Sequence, residues 1–167
     1  MVQTNLKWDK ILELFFEYPK SNFTVREISK KTKIPSSSVQ RYLEKLRNEG
    51  LIKKNKIVVT AYSKFLKAFF VMDKIYRTGL IDYLYKELNP SAIIIFGSVR
   101  KGEYDYESDV DLFIESSIKK NVDLKKFEKE LNHKIQIFVY SDINKLQPNL
   151  FNNVVNGIKL FGSFKLK

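Results

Sequence analysis

The sequence of 167 residues contains no cysteine and only one histidine, His133. The absence of cysteine excludes a disulfide scaffold, a cysteine-ligated zinc finger and thiol catalysis. A single histidine excludes a His-rich metal site and any mechanism that needs two histidines. Long apolar runs are also lacking, because the most apolar stretch, 65–72, is interrupted by Lys67 and is far shorter than the ~18 residues of a membrane span. The polar N-terminus has no signal core, so we expect a cytoplasmic protein that does not contact membranes.

Acidic residues are fewer than basic ones, 19 against 30, which gives a formal net charge of +11. The excess is concentrated in residues 1–62, where 13 Lys and Arg face 6 Asp and Glu, for a net charge of +7. Residues 63–89 and 90–167 each carry a net charge of +2. A strongly basic chain indicates a polyanionic partner, which is a nucleic acid, a nucleotide or an acidic protein. The uneven distribution predicts two modules with different partners.

The first sixty residues predict three helices and a hairpin. Apolar residues at helical spacing predict a first helix over 6–18. The capping-box sequence TVRE opens a second helix over about 24–32. A third helix follows the break at 34–36 and ends at Gly50. Residues 51–59 are interpreted as two short strands around a basic turn.

This order of elements, in the stretch TVREISKKTKIPSSSVQRYLEKLRNEGLIKK, resembles the winged helix-turn-helix of many prokaryotic transcription regulators. The resemblance covers about residues 6–60, and it implies that the third helix enters the major groove of DNA while the wing contacts phosphates. Gln and Arg side chains suit base edges, and lysines suit phosphates. The alternative is a protein-interaction module whose basic face is merely solvated. The predicted DNA-binding residues are Ser37, Ser38, Gln40, Arg41, Lys45, Lys53, Lys54 and Lys56.

A connector helix with a wide apolar arc is predicted over residues 62–79. An arc of that width cannot remain in water. The helix is therefore either an interdomain core helix or the seam of a homodimer that pairs through residues 62–78. A second, short helix follows over 80–88. The predicted domains are 1–61, 62–79 and 80–167.

The stretch IIIFGSVRKGEYDYESDVDLFIE combines a buried strand, a glycine-serine turn and a second strand. The apolar run 92–96 ends in Gly97 and Ser98, and Asp109 and Asp111 follow after ten intervening residues. Glycine permits a turn whose backbone N–H groups face a phosphate, while Ser98 adds a hydroxyl and the start of a short helix. Aspartates two apart on a strand point to one face, ~6.6 Å apart along the backbone. Such a pair suits Mg²⁺ or Mn²⁺, which prefer oxygen ligands.

The motif resembles the nucleotidyltransferase superfamily in its small, minimal form, over about residues 80–161. The resemblance implies an α+β protein, in which a winged helix-turn-helix precedes a small mixed β-sheet flanked by helices. It also implies transfer of a nucleoside monophosphate from an NTP to a hydroxyl acceptor, with Asp109 and Asp111 as catalytic and metal-binding residues. The combination of the two modules also resembles an archaeal-type family of small two-module proteins. The predicted phosphate-binding residues are Gly97, Ser98, Arg100, Lys101 and Ser108, of which Ser108 is also interpreted as a cap of the turn into the strand.

The third carboxylate of active members of that superfamily is missing from this sequence. The later strand, 134–139, has Gln136 at the matching position, and no acidic residue lies between Glu130 and Asp142. A glutamine carbonyl can bind a metal, but it carries no charge and is a poor base, so binding of nucleotide and Mg²⁺ is expected more strongly than turnover. His133 precedes this strand and is interpreted as an exposed or capping residue rather than as a base.

Three functions are compatible with these features. The first is an Mg²⁺-dependent nucleotidyltransferase with a DNA-binding winged helix. The second is a DNA-binding transcription regulator whose nucleotidyltransferase domain only binds nucleotide, and the replacement by Gln136 favours it. The third is an antitoxin-like partner of a helical toxin, because minimal nucleotidyltransferases often pair with such proteins.

Overall fold

The computed structural model describes residues 6–166, with side chains from Asp9 onward. Residues 1–5 of the predicted first domain and the side chain of Leu6 lie outside the described part. The chain divides into two compact units, with the division between Lys64 and Phe65. The predicted boundaries at 61 and 79 stay a prediction. Among the described helices, none is long and apolar enough to cross a membrane.

The first unit contains three helices and a two-stranded wing. The helices are α1 (Leu6–Glu17), α2 (Val25–Thr32) and α3 (Ser36–Asn48). The wing consists of the antiparallel strands β1 (Ile52–Lys53) and β2 (Lys56–Ile57). This order matches the predicted winged helix-turn-helix element by element.

The capping box at the start of α2 forms as predicted. Thr24 accepts a hydrogen bond from the backbone N–H of Glu27 at 3.2 Å, and the Glu27 carboxylate accepts one from the backbone N–H of Thr24 at 2.7 Å. These reciprocal bonds satisfy two donors that the start of a helix leaves unpaired. The core beneath the three helices consists of apolar side chains with no exposed surface, namely Ile11, Phe15, Ile28, Val39, Leu43 and Leu46.

The second unit is built on a four-stranded mixed sheet with the order β5-β4-β3-β6. Strand β3 pairs antiparallel with both β4 and β6, and β4 pairs parallel with β5. The strands are β3 (Ala92–Phe96), β4 (Val110–Glu115), β5 (Ile135–Tyr140) and β6 (Ile158–Gly162). The helices are α4 (Ala61–Arg77), which begins before the division, α5 (Leu80–Leu88), α6 (Gly97–Lys101), α7 (Lys125–Leu131) and α8 (Pro148–Val155), with a 3₁₀ turn at Ile143–Lys145. The predicted α+β fold with a small mixed sheet is confirmed.

Strand β3 runs through the middle of this sheet, and all five of its residues are buried. Burial on both faces explains the uninterrupted apolar run, because neither side of the strand meets water. On the face that carries Phe96 and Phe113, the core is completed by residues from the 3₁₀ turn and α8, namely Ile143, Leu146 and Val154.

Helix α4 packs within the second unit through part of its apolar arc. Ala68, Val71 and Ile75 are buried, whereas Phe65 and Phe69 are 60% and 49% exposed. The rings of the two phenylalanines stack on each other with centroids 6.1 Å apart.

Candidate active site and nucleic-acid interface

The predicted metal-binding aspartates lie on either side of Val110, where β4 begins, and Asp111 is packed beside the glycine turn that follows β3. Asp111 is paired in register with Phe96 on β3 and with Gln136 on β5. Paired residues of neighbouring strands project to the same side of a sheet. Gln136 therefore lies next to Asp111 in one row across the sheet, which is the place expected for a third carboxylate.

Gly97 brings the backbone of the turn against the Asp111 carboxylate. Its φ of +71° lies in the left-handed region that favours glycine, and a Cβ built on it would lie only 2.1 Å from Asp111 Oδ2. Both the backbone conformation and the lack of space therefore require glycine at this position. The turn and the second aspartate of the motif form one packed unit.

The two aspartates place two negative charges close together, which favours the binding of a cation. Asp111 is half-buried, and its burial raises the pKa of its carboxyl, with a second contribution from the negative charge of Asp109. Asp109 itself is exposed. Within residues 6–166, no cluster of three or more His, Cys, Asp or Glu side chains could hold a metal ion. The carboxylate oxygens of Asp109 and Asp111 are ligands of the kind that hard divalent cations prefer, and such cations fill their remaining positions with water or phosphate oxygens.

The predicted phosphate-binding residues fall into two groups in the structure. Gly97 and Ser98 are half-buried at the start of α6, while Arg100 and Lys101 are exposed at its end. Ser108 lies apart from α6 and closes a turn, because its hydroxyl accepts from the backbone N–H of Asp105 at 3.0 Å and donates to the Asp105 carboxylate at 3.1 Å. These two hydrogen bonds make Ser108 the cap of this turn.

His133 was predicted to be an exposed or a capping residue. It is buried, with 5% of its surface exposed, so the exposed alternative is wrong. Its Nδ1 lies 2.7 Å from the backbone oxygen of Ser108, and its ring stands edge-on to Tyr104. The ring is enclosed because the turn before β5 folds against the segment that leads into β4. Periodicity along the chain could not reveal this enclosure.

On the winged helix, the predicted DNA-binding side chains are accessible to a ligand. Ser38 is half-buried; the exposed members of the set are Ser37, Gln40, Arg41 and Lys45 on α3, and Lys53, Lys54 and Lys56 on the wing. Arg47 of α3 was left out of the set, and it donates to the Asn55 side chain at 2.7 Å. This bond ties the third helix to the wing, so both present their basic side chains from one braced surface.

The wing turns through two residues with left-handed backbone conformations. Lys54 and Asn55, between β1 and β2, have φ values of 48° and 55°. Two consecutive residues with positive φ are typical of a type I′ hairpin turn, where asparagine and glycine are the usual occupants. Lys54 is therefore placed at the tip of the wing in a conformation that is unfavourable for lysine.

Comparison with known families agrees with this geometry in both units. Residues 78–160 match the family model of the nucleotidyltransferase domain. Residues 19–69 match the model of the sugar-specific transcriptional regulator TrmB. The chain carries a nucleotidyltransferase domain behind a TrmB-type winged helix. Searches of curated proteins and of solved structures gave no match.

The nucleotidyltransferase domain includes the glycine turn, both aspartates and Gln136. The TrmB-type region contains α2, α3 and the wing, and so includes every predicted DNA-binding residue. The fused arrangement expected from the sequence is confirmed. The archaeal type stays a prediction.

Proposed function

We propose that the nucleotidyltransferase domain transfers a nucleoside monophosphate from an NTP to a hydroxyl acceptor, in a protein that binds DNA through its winged helix. The observation that carries this proposal is the packing of Asp111 against the Gly97 turn, with Asp109 beside it. Two carboxylates next to a glycine turn that opens a helix are parts that can hold a metal ion and a triphosphate in this reaction.

In the proposed reaction, an acceptor oxygen attacks the α-phosphorus of the NTP. The new P–O bond forms as the bond to the β-phosphate oxygen breaks, so that pyrophosphate leaves and the acceptor's proton passes to water. Asp109 and Asp111 would hold Mg²⁺, which supplies charge compensation at the phosphate oxygens. Gly97 and Ser98 would bind the triphosphate, with Arg100 and Lys101 as exposed supplements.

The test is incubation of the protein with each of the four NTPs, labelled at the α-phosphate, together with Mg²⁺ and a panel of DNA, RNA and protein acceptors. We expect a labelled product with the wild type and none with Asp111→Ala. Asp82→Ala, an exposed acid on α5, is the matched control and should leave the label unchanged. A wild type that labels nothing, or an Asp111→Ala variant that labels equally, would contradict the proposal.

A second function is favoured by Gln136, which places an uncharged amide beside Asp111. In this alternative the domain binds nucleotide without turnover, and the bound nucleotide regulates DNA binding. The distinguishing measurement is the affinity for DNA with and without NTP and Mg²⁺. A change in affinity without any transfer would support the regulator, and unchanged affinity with transfer would support the enzyme.

DNA binding itself is proposed on the exposed basic residues of α3 and the wing, which the Arg47–Asn55 bond holds together. Because each neutralised phosphate releases a counterion, the affinity should fall with rising salt. We expect replacement of Arg41 to weaken selective binding, and replacement of Lys53 to weaken binding to all sequences alike. Affinity that does not depend on salt would exclude this role.

Two partner proposals remain from the sequence. A homodimer through residues 62–78 is supported by the exposed, stacked rings of Phe65 and Phe69. The double variant Phe65→Ser/Phe69→Ser should then convert a dimer to a monomer in light scattering.

An antitoxin-like role would require a helical toxin-like protein encoded beside this chain. The absence of such a protein from the neighbouring reading frames would exclude this role.

A further inference from the structure

We infer that Lys67, Tyr104 and His133 form a buried network that positions Asp109. They are positioning residues, since their contacts lie in and around the segment that precedes the aspartate and not at the proposed reacting atoms. The inference rests on the proposed function only in that Asp109 is taken as a metal ligand.

The segment 103–109, named here the linking loop, joins the end of α6 to the start of β4. One end of the loop is bonded to the glycine-serine turn, because the backbone N–H of Glu103 donates to the backbone oxygen of Ser98 at 3.0 Å. The other end is Asp109, which directly precedes β4. The distance between the glycine turn and the first aspartate therefore depends on how this loop is held. The Asp105–Ser108 turn organises the loop internally, but it does not attach the loop to the rest of the domain.

Lys67 of α4 attaches the loop at Tyr104. Its Nζ donates to the Tyr104 backbone oxygen at 2.5 Å and lies 4.4 Å from the centroid of the Tyr104 ring. Only 6% of Lys67 is exposed, and Tyr104 is completely buried. Burial of an ammonium group costs free energy unless the charge is compensated by hydrogen bonds or an aromatic ring. The backbone carbonyl and the ring of Tyr104 provide this compensation for Lys67. The tyrosine hydroxyl lies 3.4 Å from the Lys67 backbone oxygen, which is the third contact between the two residues.

His133 attaches the loop at its other end. Its Nδ1 lies 2.7 Å from the backbone oxygen of Ser108, and since a carbonyl can only accept, Nδ1 carries the proton of this bond. The ring packs edge-on against Tyr104, with centroids 5.5 Å apart and an interplanar angle of 89°. Tyr104 is thus the shared contact of both anchors.

Asp109 is held on both of its flanks as a result. The residue before it, Ser108, is bound by His133, and the residue after it donates the backbone N–H of Val110 to the Lys134 backbone oxygen at 2.8 Å. Both bonds come from the same short stretch before β5. The backbone at Asp109 is thereby fixed relative to Asp111, although the Asp109 side chain remains exposed.

The two anchors give Lys67 and His133 a role. In the sequence Lys67 interrupts an apolar stretch, and a lysine at such a place is itself a signal of a buried polar contact. Mutation of residues that orient metal ligands usually lowers metal affinity 10- to 100-fold. Replacement of either anchor should therefore lower the affinity for the metal measurably.

The experiment measures Mn²⁺ binding by electron paramagnetic resonance, with the metal alone and with Mn²⁺ plus each NTP, on folded full-length protein. His133→Leu keeps apolar bulk and removes the donor, and we expect it to weaken Mn²⁺ binding about tenfold. His133→Asn places an amide N–H where Nδ1 was, and it should restore affinity to within about twofold of the wild type. Equal losses in both variants, or no loss in His133→Leu, would overturn the inference.

Lys67→Met tests the other anchor, because it retains the length of the side chain and removes the charge and the donor. It should also weaken Mn²⁺ binding severalfold, whereas Ile114→Val, a mild core change at the far end of β4, should leave binding unchanged at the same temperature. If Ile114→Val weakened binding as much as the anchor variants, the effect would be one of general stability. Failure of the proposed function is distinguishable, since it would appear as a wild type that binds no Mn²⁺ or binds it equally after Asp109→Ala/Asp111→Ala.

Discussion

The carboxylate of Asp111 fills the space in which a side chain at Gly97 would have to begin. A Cβ on Gly97 would lie 2.1 Å from Asp111 Oδ2 and 3.1 Å from its Cγ. The glycine and the aspartate of the motif therefore constrain each other directly, although Gly97 begins α6 and Asp111 lies on β4. Their contact makes the position of the Asp111 carboxylate depend on the absence of a side chain in the turn.

Gly97→Ala should consequently damage both stability and binding. The left-handed backbone alone costs about 1 kcal/mol for alanine, and displacement of Asp111 adds a further ~1–3 kcal/mol. Gly79 provides a matched control, because its φ is +76° but no atom lies within 4 Å of a Cβ built there. Urea denaturation should show a clearly smaller loss for Gly79→Ala, and calorimetry should show loss of Mn²⁺–NTP binding only for Gly97→Ala. Equal losses of stability in the two variants would contradict this account.

Asp111→Asn should make the protein more stable at neutral pH. Burial, and then the charge of Asp109, raise the pKa of Asp111 in the folded state. Because the carboxyl holds its proton more tightly in the folded protein, it adds to the free energy of unfolding at pH values below its pKa in the unfolded chain, which is about 3.9. This contribution is lost as the pH rises through the pKa of the carboxyl in the folded protein. The melting temperature of Asp111→Asn should therefore exceed that of the wild type at pH 7, and the difference should vanish toward pH 4.

A divalent cation should reverse the order of the melting temperatures of the wild type and Asp111→Asn. Saturating Mn²⁺ stabilises only a protein that binds it, so the wild type should gain melting temperature at pH 7 and Asp111→Asn should gain much less. Asp82→Asn, on the exposed side of α5, serves as the control and should resemble the wild type in both conditions. An Asp111→Asn variant that is less stable than the wild type at neutral pH would show that the carboxylate is stabilised by its surroundings.

Gln136→Glu should strengthen the metal site. The substitution preserves side-chain length and adds a third carboxylate in register with Asp111 on the neighbouring strand. We expect Mn²⁺ affinity to rise about tenfold, which corresponds to ~1.4 kcal/mol. Gln147→Glu, exposed before α8, is the control for added charge alone. If affinity does not rise while the protein stays folded, Gln136 does not face the metal position. Transfer activity that appears only in Gln136→Glu would favour the regulator over the enzyme for the natural sequence.

Lys54→Asn should change stability and DNA binding in opposite directions. Lys54 has a φ of 48° at the tip of the wing, where asparagine is more easily accommodated, so the variant should gain a few tenths of a kcal/mol in unfolding free energy. Loss of the charge should reduce the slope of log affinity against log salt by about 1. Lys30→Asn, an exposed lysine on α2, is the control for net charge. A stability gain with an unchanged salt slope would exclude Lys54 from the phosphate contacts.

Several features of this protein were predictable because their determinants are local. The capping box at Thr24 and Glu27 is formed by residues three apart, and the seam of α3 follows from helical spacing. The buried run of β3 and the Gly97–Asp111 motif were likewise legible along the chain, and the resemblance then identified Gln136 as the residue at the position of the third carboxylate. Strand β6 was missed because its alternation is weak, and it is recognisable as a strand mainly through its pairing with β3.

The sequence by itself therefore determined most of the elements, their order and the Gly97–Asp111 motif, since periodicity, caps and short motifs depend on neighbours along the chain. Tertiary structure alone decided which groups are enclosed and what they touch. The burial of His133 and Lys67, the contact of Asp111 with Gly97 and the two anchors of the linking loop each join segments that are remote in sequence. Such contacts arise from packing in three dimensions, and no spacing rule along one segment encodes them.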